Sequence, residues 1–414
     1  MDENLDAIRK TLKKYSQEHL LNEYERLDGI KQKQLLEQIE NTDFELINSL
    51  YNNTKKEIEN TQDSQIAPIE YLDKDKLNGY YKGFQETGEK AIRAGKLAAV
   101  TMAGGQGTRL GHKGPKGTFD IGLESHKSLF ELLSDSLKGQ GKKYDVTIPW
   151  FIMTSEENND DTVEFFAKHR FFGYEKDKNI FFFKQSELPM VDTEGKILIG
   201  EDGLIKEAAD GHGGIYEALV KNGMTKKMRE LGVEWLFIGG VDNCLVKMVD
   251  PILMGIAIQK HVTAAGKSVV KANPEEKVGV FCKKNGRPSV VEYTEIPKDM
   301  AEARDERGEL IYGESHILCN LFNIDAVERM GNKPLPYHSA FKKATYIDKD
   351  GNKIVPDGPN AYKFEAFLFD AFGELDDMAI LRVKREEEFA PVKNASGVDS
   401  PETARELYRK FYQL

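Results

Sequence analysis

Residues 97–117 read LAAVTMAGGQGTRLGHKGPKG. The first eight form a short apolar run of strand length, and the fifteen residues from Ala103 onward hold six glycines with three cations, Arg109, Lys113 and Lys116. Open α/β sheets bind ligands at the carboxyl ends of their strands. Glycines there tolerate positive φ and let backbone N–H groups approach anionic oxygens. A phosphate-binding loop is therefore expected, and its type follows from spacing. A P-loop requires G-x-x-x-x-G-K-[ST], whereas in GPKGT the lysine precedes the glycine. A dinucleotide fingerprint requires G-x-G-x-x-G, and Gly105-Gln106-Gly107 is followed by Gly111, one residue too far. A nicotinamide-dependent oxidoreductase thus stays open as an alternative, with Glu124 near the place of the ribose-binding acid. Neither motif accounts for Arg109 and Lys116. A loop wrapping a nucleoside triphosphate does.

Around this stretch, apolar runs alternate with helix-length segments. TIPWFIMTS (147–155), NIFFFKQ (179–185) and VEWLFIGG (233–240) read as strands, with SLFELLSDSLK and NDDTVEFFAKHRFFG as helices between them. Strand–helix–strand succession implies right-handed crossovers and a mostly parallel sheet covered by helices on both faces, a Rossmann-like α/β core. Shorter strands near 267–272, 278–284, 288–294 and 317–324, with a turn at NGRP (285–288), suggest an antiparallel insertion near 265–325. Before the core, Leu5, Ile8, Leu12 and Tyr15 recur at helical steps, and Thr42-Asp43-Phe44-Glu45 has capping-box spacing. The polar stretch TQDSQIAP (61–68) reads as a linker. SPETARELYRKFYQL reads as a terminal helix with Ser400 as N-cap and Pro401 at its first position. The expected division is a helical region 1–95 capping the main domain, a catalytic domain 96–395 and a C-terminal helix 396–414.

Composition limits the function classes. A net charge of −11 opposes general nucleic-acid binding, which needs excess Lys and Arg. No apolar run approaches the ~20 residues of a membrane span, and the N-terminus lacks a signal-peptide apolar block. A cytoplasmic protein is expected, and membrane partners are not. Cys244, Cys282 and Cys319 form no C-x-x-C pair and read as reduced, buried thiols; the eight histidines form no H-x-x-x-H pattern.

LAAVTMAGGQGTRLGHKGPKG is similar to the signature of the eukaryotic-type UDP-sugar pyrophosphorylases, the group that includes the UDP-N-acetylglucosamine and UDP-glucose enzymes. The resemblance continues in order through WFIMTS, FFAKHRFFG, IFFFKQSELPMVD, DGHGGIYEAL, VDNCLVKMVDP, VVEYTEI, YKFEAFLFDAF and EEFAPVKNASGVDSPETA. It implies a nucleotidyltransferase core of the glycosyltransferase-A-like type. It also implies a reaction in which a sugar 1-phosphate oxygen attacks the α-phosphorus of UTP, releasing pyrophosphate and leaving a UDP-sugar. Mg²⁺ is the implied cofactor. The nucleophile is already an anionic phosphate, so the protein has to supply cations, backbone donors and a metal site.

The matched motifs assign roles residue by residue. Met102, Ala103, Gly104, Gly105 and Gly211 match residues that meet the nucleotide, and Arg109 and Lys116 would grip the triphosphate. Gln185 matches a residue turned to uracil, and Asp242 one that reaches nucleotide and metal. Glu292, Tyr293 and Asn320 align with positions near the sugar, and Lys363 and Lys393 with late lysines that meet phosphates. Relatives acting on N-acetylglucosamine 1-phosphate typically carry G-N-G-G where this chain has Gly211-His212-Gly213-Gly214, whereas glucose and broad-range enzymes carry G-H-G-D. The L-x-K-x-x-D-P and E-Y-T-E-I runs lean to the N-acetylhexosamine branch. Glucose 1-phosphate is the alternative acceptor, and a catalytically silent UTP-binding or UDP-sugar-binding protein is the alternative class. The chain ends soon after its P-V-K-N block, where eukaryotic members often continue, so arrangements of subunits that depend on that continuation are not implied.

Overall fold

The computed structural model describes residues 2–55, 65–334 and 336–414. It divides into two units, one of Ser64–Gln185, Ile215–Pro334 and Leu368–Leu414, the other of Met1–Asp63, Ser186–Gly214 and Leu335–Phe367. The boundaries expected at residues 95 and 396 do not coincide with these units.

The larger unit is built on an eleven-stranded sheet. Its strands are β1 (Ile66–Pro68), β2 (Leu72–Asp73), β3 (Leu97–Met102), β4 (Trp150–Thr154), β5 (Ile180–Lys184) and β6 (Trp235–Gly240). They continue as β7 (Ala264–Val270), β8 (Val280–Lys284), β9 (Arg287–Val291), β10 (Glu314–Asn323) and β11 (Ala379–Arg382). The main path runs β2-β11-β7-β10-β6-β3-β4-β5. Along it only β10 is antiparallel to its neighbours, β7 and β6; the other pairs are parallel. Every residue of β3 and β4 is buried, as strands covered on both faces must be. The expected mostly parallel α/β core with flanking helices is present.

The region 265–325 differs from the sequence expectation. β7 and β10 are central strands rather than parts of an insertion, because Gly266 and Asn320 pair across the middle of the sheet. The antiparallel excursion is the β8–β9 hairpin, turned by Asn285 (φ 52°) and Gly286 (φ 80°), the residue pair that a tight two-residue turn favours. β1 pairs with β8, so residues 66–68 of the expected linker form a strand. Residues 61–64 of that stretch lie outside the described residues.

Among the described residues of the smaller unit are the α-helices Asp2–Lys14, His19–Tyr24, Gly29–Asn41 and Phe44–Thr54. Their Leu12, Leu35 and Ile47 share a core with Val191, Ile197, Ile205 and Phe364. The chain leaves this core twice and returns, which no local sequence window records. The last of these helices is capped by Asp43, which accepts from Leu46 N–H at 2.9 Å, one residue later than the Thr42 capping-box spacing suggested. Thr42 instead donates its hydroxyl to Gln38 O. At the other end of the chain, Ser400 caps the helix Pro401–Tyr412 with Pro401 in its first turn, as read from sequence.

Candidate active site

The order β6-β3-β4-β5 contains a topological switch. From β3 the chain moves outward through β4 and β5, then returns to the opposite side of β3 as β6. All four strands are parallel, and Met102 stands level with Gly240 and Met153. Segments leaving their carboxyl ends therefore converge, which is where open α/β sheets bind ligands.

Three sequence-predicted groups meet at this edge. Lys116, in the 3₁₀ turn Lys116–Thr118, places Nζ 3.4 Å from Asp242 Oδ2 just past β6. Their side chains are about one-fifth exposed, 18% and 22%, so the pair is screened from bulk water yet open to a ligand. Gln185, past the end of β5, lies over Gly104, where a Cβ would come within 2.6 Å of its Oε1. A glycine at 104 is thus needed for the amide to sit there. Met102 and Ala103 are buried beneath the loop, Gly105 is exposed, and Arg109 is exposed with no ion pair among the described residues.

Sequence reasoning missed Asn158. Fully buried, it donates Nδ2 to Ala103 O at 2.9 Å and Gly105 O at 3.3 Å, holding the strand-to-loop junction from the start of the helix Asn159–Lys168. An asparagine directly before a helical run was the available signal. Asn243, beside Asp242, is a structural residue whose side chain bonds Glu388 O, Ala390 N and Leu245 N. Asp242 O accepts from Val392 N–H at 2.9 Å, which brings the segment carrying Lys393 to Asp242. Lys393 itself lies 3.9 Å from Asp399.

The residues expected near the sugar are dispersed within this unit. Glu292 is half-buried past the end of β9 and Tyr293 is exposed. Asn320 is fully buried on β10, its amide 3.2–3.3 Å from His316 Nε2. The three cysteines are free and buried. Burial pushes Cys282 up to about 11 and Cys244 and Cys319 up to about 12, so none is a thiolate at neutral pH.

The remaining predicted residues belong to the smaller unit. Gly211, His212 and Gly214 form a tight turn locked to the segment after strand Ala361–Glu365: Ala366 N–H donates to Asp210 O and Gly213 N–H to Ala366 O. The His212 ring lies 5.6 Å from that of Phe367. Asp210 is fully buried, and a Cβ at position 214 would stand 2.5 Å from both its carboxylate oxygens. A side chain at 214 would therefore require the Asp210 carboxylate to shift, and an aspartate there would set a like charge beside it. Lys363, less than one-quarter exposed, pairs with Glu365 at 2.6 Å.

Among the described residues no three His, Cys, Asp or Glu side chains cluster as a metal cage. Asp242 offers one carboxylate, which suits Mg²⁺, an ion that commonly takes one or two carboxylates and completes its shell with phosphate oxygens and water. No helix among the described residues is long and apolar enough to cross a membrane.

Known proteins agree with this architecture. A UDP-N-acetylglucosamine diphosphorylase 2 from Arabidopsis thaliana is 37% identical over 432 residues, spanning 98% of this chain and 84% of its own. A UDP-N-acetylglucosamine pyrophosphorylase from Saccharomyces cerevisiae is 36% identical over 420 residues, spanning 97% and 86%. The crystal structure of the uridine diphosphate N-acetylglucosamine pyrophosphorylase from Trypanosoma brucei superposes with a TM-score of 0.82 at 30% identity, covering 98% of this chain and 84% of that one. The family model described as UTP–glucose-1-phosphate uridylyltransferase matches residues 42–399. The oxidoreductase alternative is thereby discarded, and the chain belongs to the UTP–glucose-1-phosphate uridylyltransferase family.

Proposed function

We propose that this protein transfers a uridylyl group from UTP to N-acetylglucosamine 1-phosphate, giving the UDP-sugar and pyrophosphate. The observation that carries the reading is the Lys116–Asp242 pair at the β3/β6 switch point. It sets a cation and a carboxylate side by side where a triphosphate lies against a glycine-rich loop. An oxygen of the sugar phosphate attacks the α-phosphorus, and the bond from that phosphorus to the β-phosphate oxygen breaks. Negative charge grows on the leaving pyrophosphate, and fixed cations there lower the barrier. Lys116 supplies one, and Arg109, open to solvent, can close on the phosphates with its bidentate fork. Gln185 presents an amide, complementary to the acceptor and donor edge of uracil. Mg²⁺ on Asp242 would supply further charge neutralisation of the phosphates. Lys363 and Lys393 are assigned to phosphate, and Glu292, Tyr293 and His212 to the sugar. Three free, buried thiols support a reducing, cytoplasmic setting.

The preference for an N-acetylated acceptor is supported by the names of the Arabidopsis and yeast relatives and by Gly214, where glucose and broad-range enzymes typically carry aspartate. His212 favours the second reading, glucose 1-phosphate, because the N-acetylglucosamine branch typically has asparagine there. The test is pyrophosphate release across UTP, ATP, CTP, GTP and dTTP with a panel of sugar 1-phosphates. UTP with N-acetylglucosamine 1-phosphate is expected to give the highest kcat/KM. A glucose-only profile transfers the reading to the second acceptor, and no release with UTP ends both. His212→Asn is expected to raise the N-acetylglucosamine-to-glucose ratio of kcat/KM by about tenfold, the size of one rebuilt polar contact. An unchanged ratio removes His212 from specificity.

A further inference from the structure

The loop that carries Arg109 and Lys116 has a side-chain clasp at its back. Its backbone doubles over as a small hairpin: Gly107 N–H donates to Gly114 O at 3.0 Å, His112 N–H to Gly107 O at 3.1 Å, and Lys116 N–H to Gly105 O at 3.0 Å. Arg109 rides on the first arm, in the 3₁₀ turn Thr108–Leu110, and Lys116 on the second. Gly111 and Gly114 between them have positive φ. A loop of this composition loses much backbone entropy when it orders.

The half-buried His112 ring crosses from the first arm to the second. Its Nε2 lies 2.7 Å from Thr118 Oγ1. The ring meets Phe119 edge-on, with centroids 5.5 Å apart at 84°. Its other side rests on Gly107, where a Cβ would stand 2.8 Å from Cδ2. Thr118 has a single hydroxyl proton, and its Oγ1 lies 2.8 Å from Pro115 O, which can only accept. Thr118 therefore donates to Pro115 and accepts from His112 Nε2–H. The neutral Nε2–H tautomer and the imidazolium both make this bond.

We propose that His112 is a positioning residue for the phosphate-binding loop. Through Thr118 it fixes the Lys116–Thr118 turn to the arm bearing Arg109, so that both cations are set before the nucleotide arrives. The proposal rests on the uridylyltransferase reading and names a residue pair outside the charge set itself. Preorganisation of this kind lowers the ordering cost charged against phosphate binding.

His112→Phe and Thr118→Val each keep the packing shape and remove the bond. Both are expected to raise the KM for UTP by about tenfold, as small misplacements of reacting groups do, while the KM for the sugar 1-phosphate stays unchanged. The double variant is expected to be no worse than Thr118→Val alone, which already removes the bond to His112 together with the Thr118–Pro115 bond. His112→Gln, which keeps a side-chain N–H donor, is expected to recover most of the loss. Urea midpoints should match wild type, because the clasp lies in a loop outside the buried core. A wild-type KM for UTP in both variants overturns the proposal, as do equal rises in both KM values or losses that add. Calorimetric binding of pyrophosphate, with an expected tenfold weakening, reads the clasp without turnover. A wild-type protein that binds pyrophosphate but releases none from UTP would sink the activity reading and leave the clasp tested on its own.

Discussion

Lys116→Ala is expected to lower pyrophosphate release by about 10²–10³-fold, the effect of deleting one preorganised charge that faces developing negative charge. The size follows from how firmly the lysine is held. Its backbone N–H is bonded to Gly105 O. The next residue, Gly117, lies against Phe130, where a Cβ would fall 2.2 Å from the ring. Its ammonium stands 3.4 Å from Asp242. A charge placed in this way needs little rearrangement as the reaction proceeds, so most of its interaction is realised in the transition state. Stability should hardly change, because a part-exposed pair of this kind contributes about 1 kcal/mol or less. Steady-state kinetics beside a urea melt checks both halves. Turnover near wild type removes Lys116 from the phosphate-binding set, and a large loss of stability makes the kinetic effect indirect.

Lys267→Met is expected to destabilise the protein by about 3 kcal/mol, at the lower end of the cost of removing one partner from a buried ion pair. Lys267, on β7, has no exposed surface, and its ammonium lies 2.8 Å from Asp250 and 2.5 Å from Glu388, both nearly fully buried. Lys74 also reaches these carboxylates, at 3.7 and 2.9 Å, and this second cation keeps the expected loss at the lower end. Asp250 caps the helix Pro251–Gln259, and Glu388 O holds Asn243 next to Asp242, so the cluster supports the segment behind the site.

The pH dependence separates lost charge pairing from lost packing. Burial pushes the Asp250 carboxyl up, but Lys267 and Lys74 outweigh it and hold the carboxyl well below the usual range. In the wild type this contribution is present at neutral pH and is lost progressively as pH falls from the ordinary carboxylate range through that depressed value. Without Lys267 the strongest of the pairings that depress Asp250 is gone, and its carboxyl moves back up toward the value of the unfolded chain. The variant lacks most of this contribution, so its deficit should be full at neutral pH and narrow as pH falls below the ordinary carboxylate range. A deficit independent of pH assigns the loss to packing alone.

Much of this was legible in the sequence for local reasons. β3, β4, β5 and β6 appear as apolar runs because each is buried along most of its length. The hairpin turn shows as Asn285-Gly286 because few other residues accept its dihedrals, and Ser400-Pro401 announces a helix start by its capping chemistry. The glycine-rich loop carries Arg109 and Lys116 within fifteen residues, so the expectation of phosphate binding needs no tertiary contact to be read. The place of β7 and β10 in the middle of the sheet was not legible. An antiparallel strand in a mostly parallel sheet has no separate signature when it is buried on both faces. Asn158, His112 and Lys267 were missed because the role of a polar residue depends on which buried partner faces it.

Contiguous stretches of the chain were thus enough for the expected phosphate loop and the strand-and-helix core, which rest on composition and spacing, and for the family, which rests on the resemblance of its ordered motifs. Folding in three dimensions was needed to show that Lys116 meets Asp242, that Gln185 covers Gly104, and that Asn320 is taken up by His316. The same holds for residues 186–214 and 336–367, whose Val191, Ile197, Ile205 and Phe364 share a core with the N-terminal helices. Most of these contacts join segments far apart in the chain, and their meeting is set by strand order and register, which side-chain periodicity does not encode.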